Sequence, residues 1–270
     1  MPELPEVETV VRGLAPAVMG RRITAVTVRD GRLRVPVATD LPARLAGRRI
    51  TDLGRHGKFI LAPLDDAAVW LVHLGMTGRL TIGPARDAYA AHDHVVVDLE
   101  GGGRLIYNDA RRFGRIDVVA AADVARETVP GVDALAPGYT PELIFALSRR
   151  RRTSVKALLM DQRQIAGLGN IYVSEILFRA GIRPGRAAGR LSRADCARIV
   201  AETGVVLGAA IARGGSSISD FRNQAGDPGS YQDAHAVYDR AGAPCLVCGA
   251  PVRMRVIAGR STFWCACCQR

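Results

Sequence analysis

No apolar run in this 270-residue chain approaches the ~20 residues that a bilayer-spanning helix needs, and no basic stretch precedes an apolar one at the N-terminus. A membrane partner is therefore not expected, and the chain reads as cytoplasmic. Aromatic residues make up 5 % of the sequence, and lysine is scarcer still, with Lys58 and Lys156 the only two. Arginine carries almost all of the positive charge, and its planar fork matches phosphate oxygens. Cysteine is missing from everything before Cys196, and five of the six fall in the last 26 residues. That clustering excludes a disulfide framework spread over the chain and points to a metal site. There is no internal repeat, and the four arginines 149–152 are the nearest thing to a low-complexity tract.

The remaining composition is that of a globular protein, 48 % hydrophobic and 23 % charged, long enough for one large or two ordinary domains. The formal net charge of +11 calls for a polyanionic partner, nucleic acid first among them. Cys196, isolated in a helical pattern, reads as a small buried apolar residue.

Val7, Val10, Val11 and Leu14 recur at helical spacing and predict an amphipathic helix ending near Gly20. From residue 22 to about 119 the period shortens. Runs at 23–28, 49–53, 58–61, 69–74, 79–82, 94–99, 104–107 and 115–119 alternate with Gly, Asp and Pro turns, the pattern of an antiparallel sandwich or barrel. A connector follows, and helical periodicity returns over 142–148, 155–161, 171–180 and 193–213, the last opened by Ser192 and Asp195 as a near capping box. The expected organisation is α+β and multidomain: a β-domain with an N-terminal helix over 1–120, a linker over 121–140, a helical domain over 141–234 and a metal-binding tail over 235–270.

The tail reads Cys245-x-x-Cys248, sixteen residues, then Cys265-x-x-Cys268, the spacing of a four-thiolate structural zinc on two knuckles. The two-residue spacer selects Cys265 and Cys268 and leaves Cys267 outside. Arg253, Arg255 and Arg260 between the pairs offer cations to phosphates, or form a solvated basic hairpin.

The first eight residues, Met-Pro-Glu-Leu-Pro-Glu-Val-Glu, admit two readings. Trimming of Met1 would leave Pro2 as a secondary amine, substantially unprotonated near neutral pH and able to attack a sugar carbon, with Glu3 beside it to move protons. Equally, two prolines and three glutamates suit a helix N-terminus. Lys58 in His-Gly-Lys-Phe, Met76 in His-Leu-Gly-Met-Thr-Gly and Arg111 and Phe113 in Asp-Ala-Arg-Arg-Phe-Gly lie at strand ends, where an apolar wedge and a cation can enter a base stack; core and surface positions fit the same residues. Gly167-Leu-Gly-Asn170-Ile-Tyr172 places a turn before a helix start, a site for a backbone phosphate or a plain helix connection.

Taken together, the N-terminal stretch Met-Pro-Glu-Leu-Pro-Glu-Val-Glu-Thr, His-Leu-Gly-Met-Thr-Gly at 73–78, Asp-Ala-Arg-Arg-Phe-Gly at 109–114, Gly-Leu-Gly-Asn-Ile-Tyr at 167–172 and Gly-Arg-Ser-Thr-Phe-Trp-Cys-x-x-Cys-Gln at 259–269 resemble the formamidopyrimidine-DNA glycosylases in the family's order and over nearly the whole chain. The resemblance implies a β-sandwich, a helix-two-turn-helix and a zinc-ribbon hairpin holding one Zn2+, in a monomer acting on duplex DNA with oxidised purines such as 8-oxoguanine, at the nucleoid. It implies Pro2 as nucleophile, Glu3 and Lys58 as proton donors, and Arg260 as the phosphate-holding group of δ-elimination. It also implies that Met76, Arg111 and Phe113 fill the gap left by a flipped nucleotide. By the same resemblance His92, Arg151, Asn170 and the neighbourhood of Lys156 contact phosphates, Glu6 and Glu175 line the site, and residues 216–231 cover the lesion. Ala110 and Arg151 stand where the family often has Pro and Lys, changes that keep the turn and the charge. The alternatives are an endonuclease VIII-type enzyme for oxidised pyrimidines and a non-catalytic zinc protein that binds DNA.

Overall fold

A computed structural model describes residues 2–84, 88–217, 221–223 and 225–270. The chain divides into two compact units, Met1–Thr128 with Arg213–Ser230, and Val129–Ala212 with Tyr231–Arg270.

The first unit begins with helix α1 (Leu4–Val18), whose buried Val7, Val10, Val11 and Leu14 join the core as their spacing predicts. Then come β1 (Ile23–Val28), the short helix α2 (Leu41–Leu45), β2 (Gly54–His56), β3 (Phe59–Pro63), β4 (Ala68–His73), β5 (Arg79–Gly83), β6 (Asp93–Leu99), β7 (Arg104–Asn108), β8 (Arg115–Ala120) and α3 (Val124–Glu127). The strands form two four-stranded antiparallel sheets, β1-β6-β7-β5 and β2-β3-β4-β8. Ile23, Val95, Val97, Leu105 and Tyr107 from one sheet and Ile60, Trp70, Val72, Ile116 and Val118 from the other share one apolar core with α1. This is a sandwich, and the aliphatic alternation of the strands is what closes it.

One expected strand is absent as such. Residues 49–53 make single bridges, Arg49 to Arg22 beside the first sheet and Ile50 to Leu64 beside the second. A segment shared between two sheets cannot continue either ladder, and the regular strand starts only at Gly54.

The second unit holds a two-stranded parallel pair, β9 (Val132–Asp133) with β10 (Ile165–Ala166), and the helices α4 (Pro141–Ser148), α5 (Val155–Met160), α6 (Asn170–Arg179) and α7 (Arg193–Ala212). Three of them are capped by sequence: Thr140 and Ser154 accept from the N–H groups of Leu143 and Ala157, and Ser192 and Asp195 exchange side-chain to backbone bonds of 3.1 and 2.9 Å at α7. Cys196 is fully buried in α7. The unit ends in a hairpin, β11 (Val252–Ile257) and β12 (Arg260–Cys265), closed by Ala258 and Gly259 with φ of 50° and 71°, the backbone of a two-residue primed turn.

Candidate active site and zinc centre

The N-terminus is packed, not frayed. Pro2 and Glu3 are buried, and the Glu3 backbone N–H donates to Glu6 Oε2 at 2.8 Å, the return half of a capping box. Glu6, itself 1 % exposed, uses its other oxygen to accept from the Ser216 N–H at 2.7 Å. One buried carboxylate thus fixes both the chain start and the beginning of the segment 216–231, of which residues 218–220 and 224 lie outside the described residues, as does Met1.

Glu8, one turn further along α1, reaches Arg12 at 2.7 Å and Arg55 at 2.9 Å. Burial alone would raise its carboxyl; the two guanidinium groups outweigh that and lower it. Arg55 also donates to the Gly57 carbonyl at 3.2 Å, in the two-residue turn of the β2–β3 hairpin. Lys58 occupies that turn and is 6 % exposed, so the helix carrying Pro2 and Glu3 is tied to the turn carrying the lysine. His73, at the end of β4, packs against Phe59 with ring centroids 4.7 Å apart and the rings tilted by 49°. Burial first, then the charge of Lys58, drive its imidazole down to about 4, so it is neutral near pH 7 and free to accept from the Gly75 N–H at 3.1 Å through Nδ1.

Met76, Arg111 and Phe113 sit on two loops interlocked by Asp109, a fully buried carboxylate. It accepts from Thr77 Oγ1 at 2.6 Å, from the Gly114 N–H at 2.9 Å and from the Tyr107 hydroxyl at 3.2 Å. Burial, reinforced by Asp109, pushes the Tyr107 phenol up, so that hydroxyl stays a donor. Gly75, with φ of 62°, lies so close to Phe113 that a Cβ there would overlap its carbonyl, and a Cβ on Gly114 would overlap the Tyr107 hydroxyl. The loops therefore hold each other, and they present Arg111 and Phe113 outward with the guanidinium 4.9 Å over the ring. Phe113 is 40 % exposed, well beyond what a core phenylalanine shows. Met76 is half-buried, and His92, exposed with φ of 66°, borders a hollow of about 250 Å3 with Arg29 and Arg112.

Arg151, Asn170 and Arg260 belong to the second unit. Asn170 opens α6 after a turn closed by Gln162, whose side chain bonds Met160 and Leu168 carbonyls and the Gly167 N–H. Its Nδ2 donates to the Ser261 carbonyl at 3.0 Å while its buried Oδ1 has no donor, and Arg260 lies exposed next to that carbonyl. Lys156 is fully buried, its Nζ on the Ser261 carbonyl at 3.0 Å and Thr262 Oγ1 at 2.7 Å. Glu175 is likewise engaged, accepting from the N–H groups of Ala236, Val237 and Tyr238 at 2.8 to 3.0 Å. Lys156 and Glu175 thus hold the hairpin and its approach segment in place. Arg151, third of the four arginines 149–152, is half-buried.

Sequence reasoning gave Asp109 no role. The signal was present in its motif, a carboxylate between a strand and a turn that ends in glycine, opposite a second loop bearing Thr77.

Among the described residues Cys245, Cys248, Cys265 and Cys268 are the group that could hold a metal, their Sγ atoms all within 4.8 Å of one another. Separations of 3.9 Å for Cys245–Cys268 and 3.4 Å for Cys248–Cys265 fit a tetrahedron with Zn–S bonds of about 2.3 Å. Burial would raise the Cys265 thiol, but the Cys268 N–H, the neighbouring thiols and the Cys267 N–H lower it, while contacts among the same thiols raise Cys248 and Cys268. Cys267 is exposed and outside the cluster.

An antiparallel sandwich with a packed N-terminus, a unit of four helices and a hairpin with four clustered thiols make up the architecture of a zinc-containing DNA-repair glycosylase. Family models match at residues 1–116 (formamidopyrimidine-DNA glycosylase N-terminal domain), 131–222 (the H2TH domain of the same enzymes) and 242–270 (a zinc finger found in FPG and IleRS). Over the full length of both chains the sequence is 44 % identical to a formamidopyrimidine-DNA glycosylase of Dinoroseobacter shibae and 46 % identical to one of Cereibacter sphaeroides. The crystal structure of the MutM (Fpg) protein from Thermus thermophilus matches with TM-score 0.87 and 40 % identity, covering 99 % of this chain and 98 % of that one. A Lactococcus lactis Fpg variant in complex with a Fapy-dG-containing DNA matches with TM-score 0.91 and 30 % identity over 100 % of both chains. The chain belongs to the formamidopyrimidine-DNA glycosylase family, with one structural zinc on its four clustered cysteines.

Proposed function

We propose that this protein is a base-excision-repair glycosylase and lyase that removes oxidised purines, 8-oxoguanine and formamidopyrimidines, from duplex DNA and then nicks the strand on both sides of the emptied sugar. The observation that carries the reading is the buried Pro2–Glu3 terminus, clamped by Glu6 and tied through Glu8 and Arg55 to the Lys58 turn. Phosphate binding alone needs no such constraint on a chain end.

Removal of Met1 frees the Pro2 nitrogen as a secondary amine. It attacks C1′ of a flipped nucleotide, the C1′–N bond breaks, and the base leaves with a proton supplied by Glu3. The iminium formed on opening of the sugar acidifies C2′–H, and loss of that proton expels the 3′ phosphate; Lys58 serves as the proton donor of this elimination. A second elimination, with Arg260 holding the phosphate, expels the 5′ phosphate, and hydrolysis of the iminium returns the amine. Met76, Arg111 and Phe113 occupy the gap in the duplex, with Arg111 facing the orphaned base, while His92, Arg151 and Asn170 take phosphates. The protein acts as a monomer in the cytoplasm, at the nucleoid; no helix among the described residues is long and apolar enough to cross a membrane.

Borohydride reduction of the protein mixed with a duplex carrying 8-oxoguanine opposite cytosine tests this. The expected product is a covalent protein–DNA adduct mapping to Pro2, lost in Pro2→Gly while DNA binding survives. Undiminished trapping in Pro2→Gly would remove Pro2 as the nucleophile, and trapping only on oxidised-pyrimidine duplexes would move the enzyme to the endonuclease VIII type.

A further inference from the structure

The second unit contains a hollow of about 580 Å3, walled by Arg183, Arg186 and Arg190 after α6, by Arg253 and Arg255 on β11, and by Arg270. Strand alternation builds one wall: Arg253 is paired with Trp264 and Arg255 with Thr262, so both arginines share a hairpin face with the tryptophan. Backbone bonds to α5 and to the last residue fix the other wall. Val155 N–H donates to the Arg186 carbonyl at 2.8 Å, Lys156 N–H to the Pro184 carbonyl at 3.1 Å and Arg183 N–H to the Arg270 carbonyl at 3.0 Å.

The charge in this hollow is compensated in part. Asp195 takes Arg186 at 3.0 Å and also Arg198, and among the described residues no carboxylate side chain pairs with Arg183, Arg190, Arg253 or Arg255. Trp264 lines the same space, 8 % exposed, and its buried indole Nε1–H has no acceptor. The Arg255 guanidinium lies 5.8 Å over that ring, in room left by Gly185. Mutually repelling cations lining one preformed hollow are relieved by an anion that carries several acceptor oxygens.

We propose that this hollow is a binding site for two or more adjacent phosphate groups, distinct from the groups assigned above to the lesion and its flanking phosphates. Guanidinium forks on opposite walls match bridged phosphates better than a single carboxylate, and the volume holds an anion of triphosphate size with some of its water. Adjacent phosphates come either from a nucleic-acid strand or from a free polyphosphate. The site does not depend on the glycosylase reading.

The test titrates the zinc-loaded full chain with inorganic tripolyphosphate, following tryptophan emission. Saturable binding is expected, weakened about 10-fold or more in the Arg253→Ala/Arg255→Ala double variant with its zinc content unchanged, since each charge-assisted contact contributes severalfold. Arg183→Ala, on the opposite wall and outside the hairpin, should weaken binding severalfold even if the double variant loses its zinc. No saturable binding to the unaltered chain, or affinities unchanged in both variants, overturns the proposal. Undamaged duplexes of two lengths identify the source: affinity gained with length and lost in the variants assigns the hollow to a nucleic-acid strand, whereas duplex affinities untouched by variants that no longer hold tripolyphosphate assign it to a free polyphosphate.

Discussion

The sandwich and the zinc hairpin hold their exposed loops by different means. In the sandwich a single apolar core runs through both sheets and α1, and buried carboxylates are added to it: Glu6 pins the chain start and Asp109 locks two loops. Around the hairpin the apolar cluster is small, with Phe178, Val237, Cys245, Val252, Phe263 and Cys265 as its buried members. Polar tethers supplement it, Lys156 to β12, Glu175 to residues 236–238 and Gln269 to the Ile182 carbonyl, and the four thiolates supply the rest through zinc. A module of this size has too little surface to bury for an independent core, so metal takes the place of packing.

That contrast is broken most sharply by removing the metal. Chelation, or Cys248→Ser, should unfold the hairpin, at an apparent cost of about 10 kcal/mol, and leave the sandwich folded. The two tryptophans report separately, Trp264 in the hairpin and Trp70 in the sandwich core, so emission from Trp264 should red-shift while Trp70 is unchanged. A simultaneous loss of both signals would show that the two regions do not differ in this way.

The converse perturbation is Asp109→Ala. It strips the acceptor from Thr77, Tyr107 and Gly114 and should cost about 2–4 kcal/mol of sandwich stability in urea, with amide protection lost at residues 74–78 and 109–114 first and zinc content unaffected. Uniform loss of protection across both sheets would mean that Asp109 does not act on these loops in particular.

Acid should separate the regions more mildly. His73 is held neutral in the fold down to about 4, whereas an unfolded histidine protonates near 6.5. The unfolded state then binds more protons between these values, so its contribution is absent above pH 6.5, and stability falls as pH drops from 6.5 to about 4, by roughly 3 kcal/mol at most. His73→Gln, which keeps an acceptor for the Gly75 N–H, should flatten that part of the profile; an unchanged slope would assign it elsewhere.

The smallest effect is expected at Cys267, exposed beside the zinc site. Cys267→Ser should move stability by less than about 0.5 kcal/mol and leave one zinc per chain.

Much of this was legible in residue order. Val7, Val10, Val11 and Leu14 marked the buried face of α1, the strand runs marked a sandwich, and the cysteine spacing marked the metal site, because periodicity and spacing are local. What was not legible depends on partners far away in sequence. Residues 49–53 carry a strand's composition yet bridge to Arg22 and Leu64 in different sheets. Lys156 reads as a free cation until the Thr262 hydroxyl, 106 positions later, is seen to hold it. Asp109 has the same history: its importance lies in Thr77, 32 positions earlier, and no local pattern announces that pairing.

The two lysines have one more consequence. Both are buried, at 6 % and 0 % exposure, so the described surface of a protein with net charge +11 carries no exposed primary amine on its side chains. Guanidinium groups attract phosphates but, protonated at any ordinary pH, do not condense readily with a sugar aldehyde. Electrostatic capture and carbonyl reactivity are thereby assigned to different functional groups, and an aldehyde gliding over this basic surface meets no side-chain amine on which to become stranded.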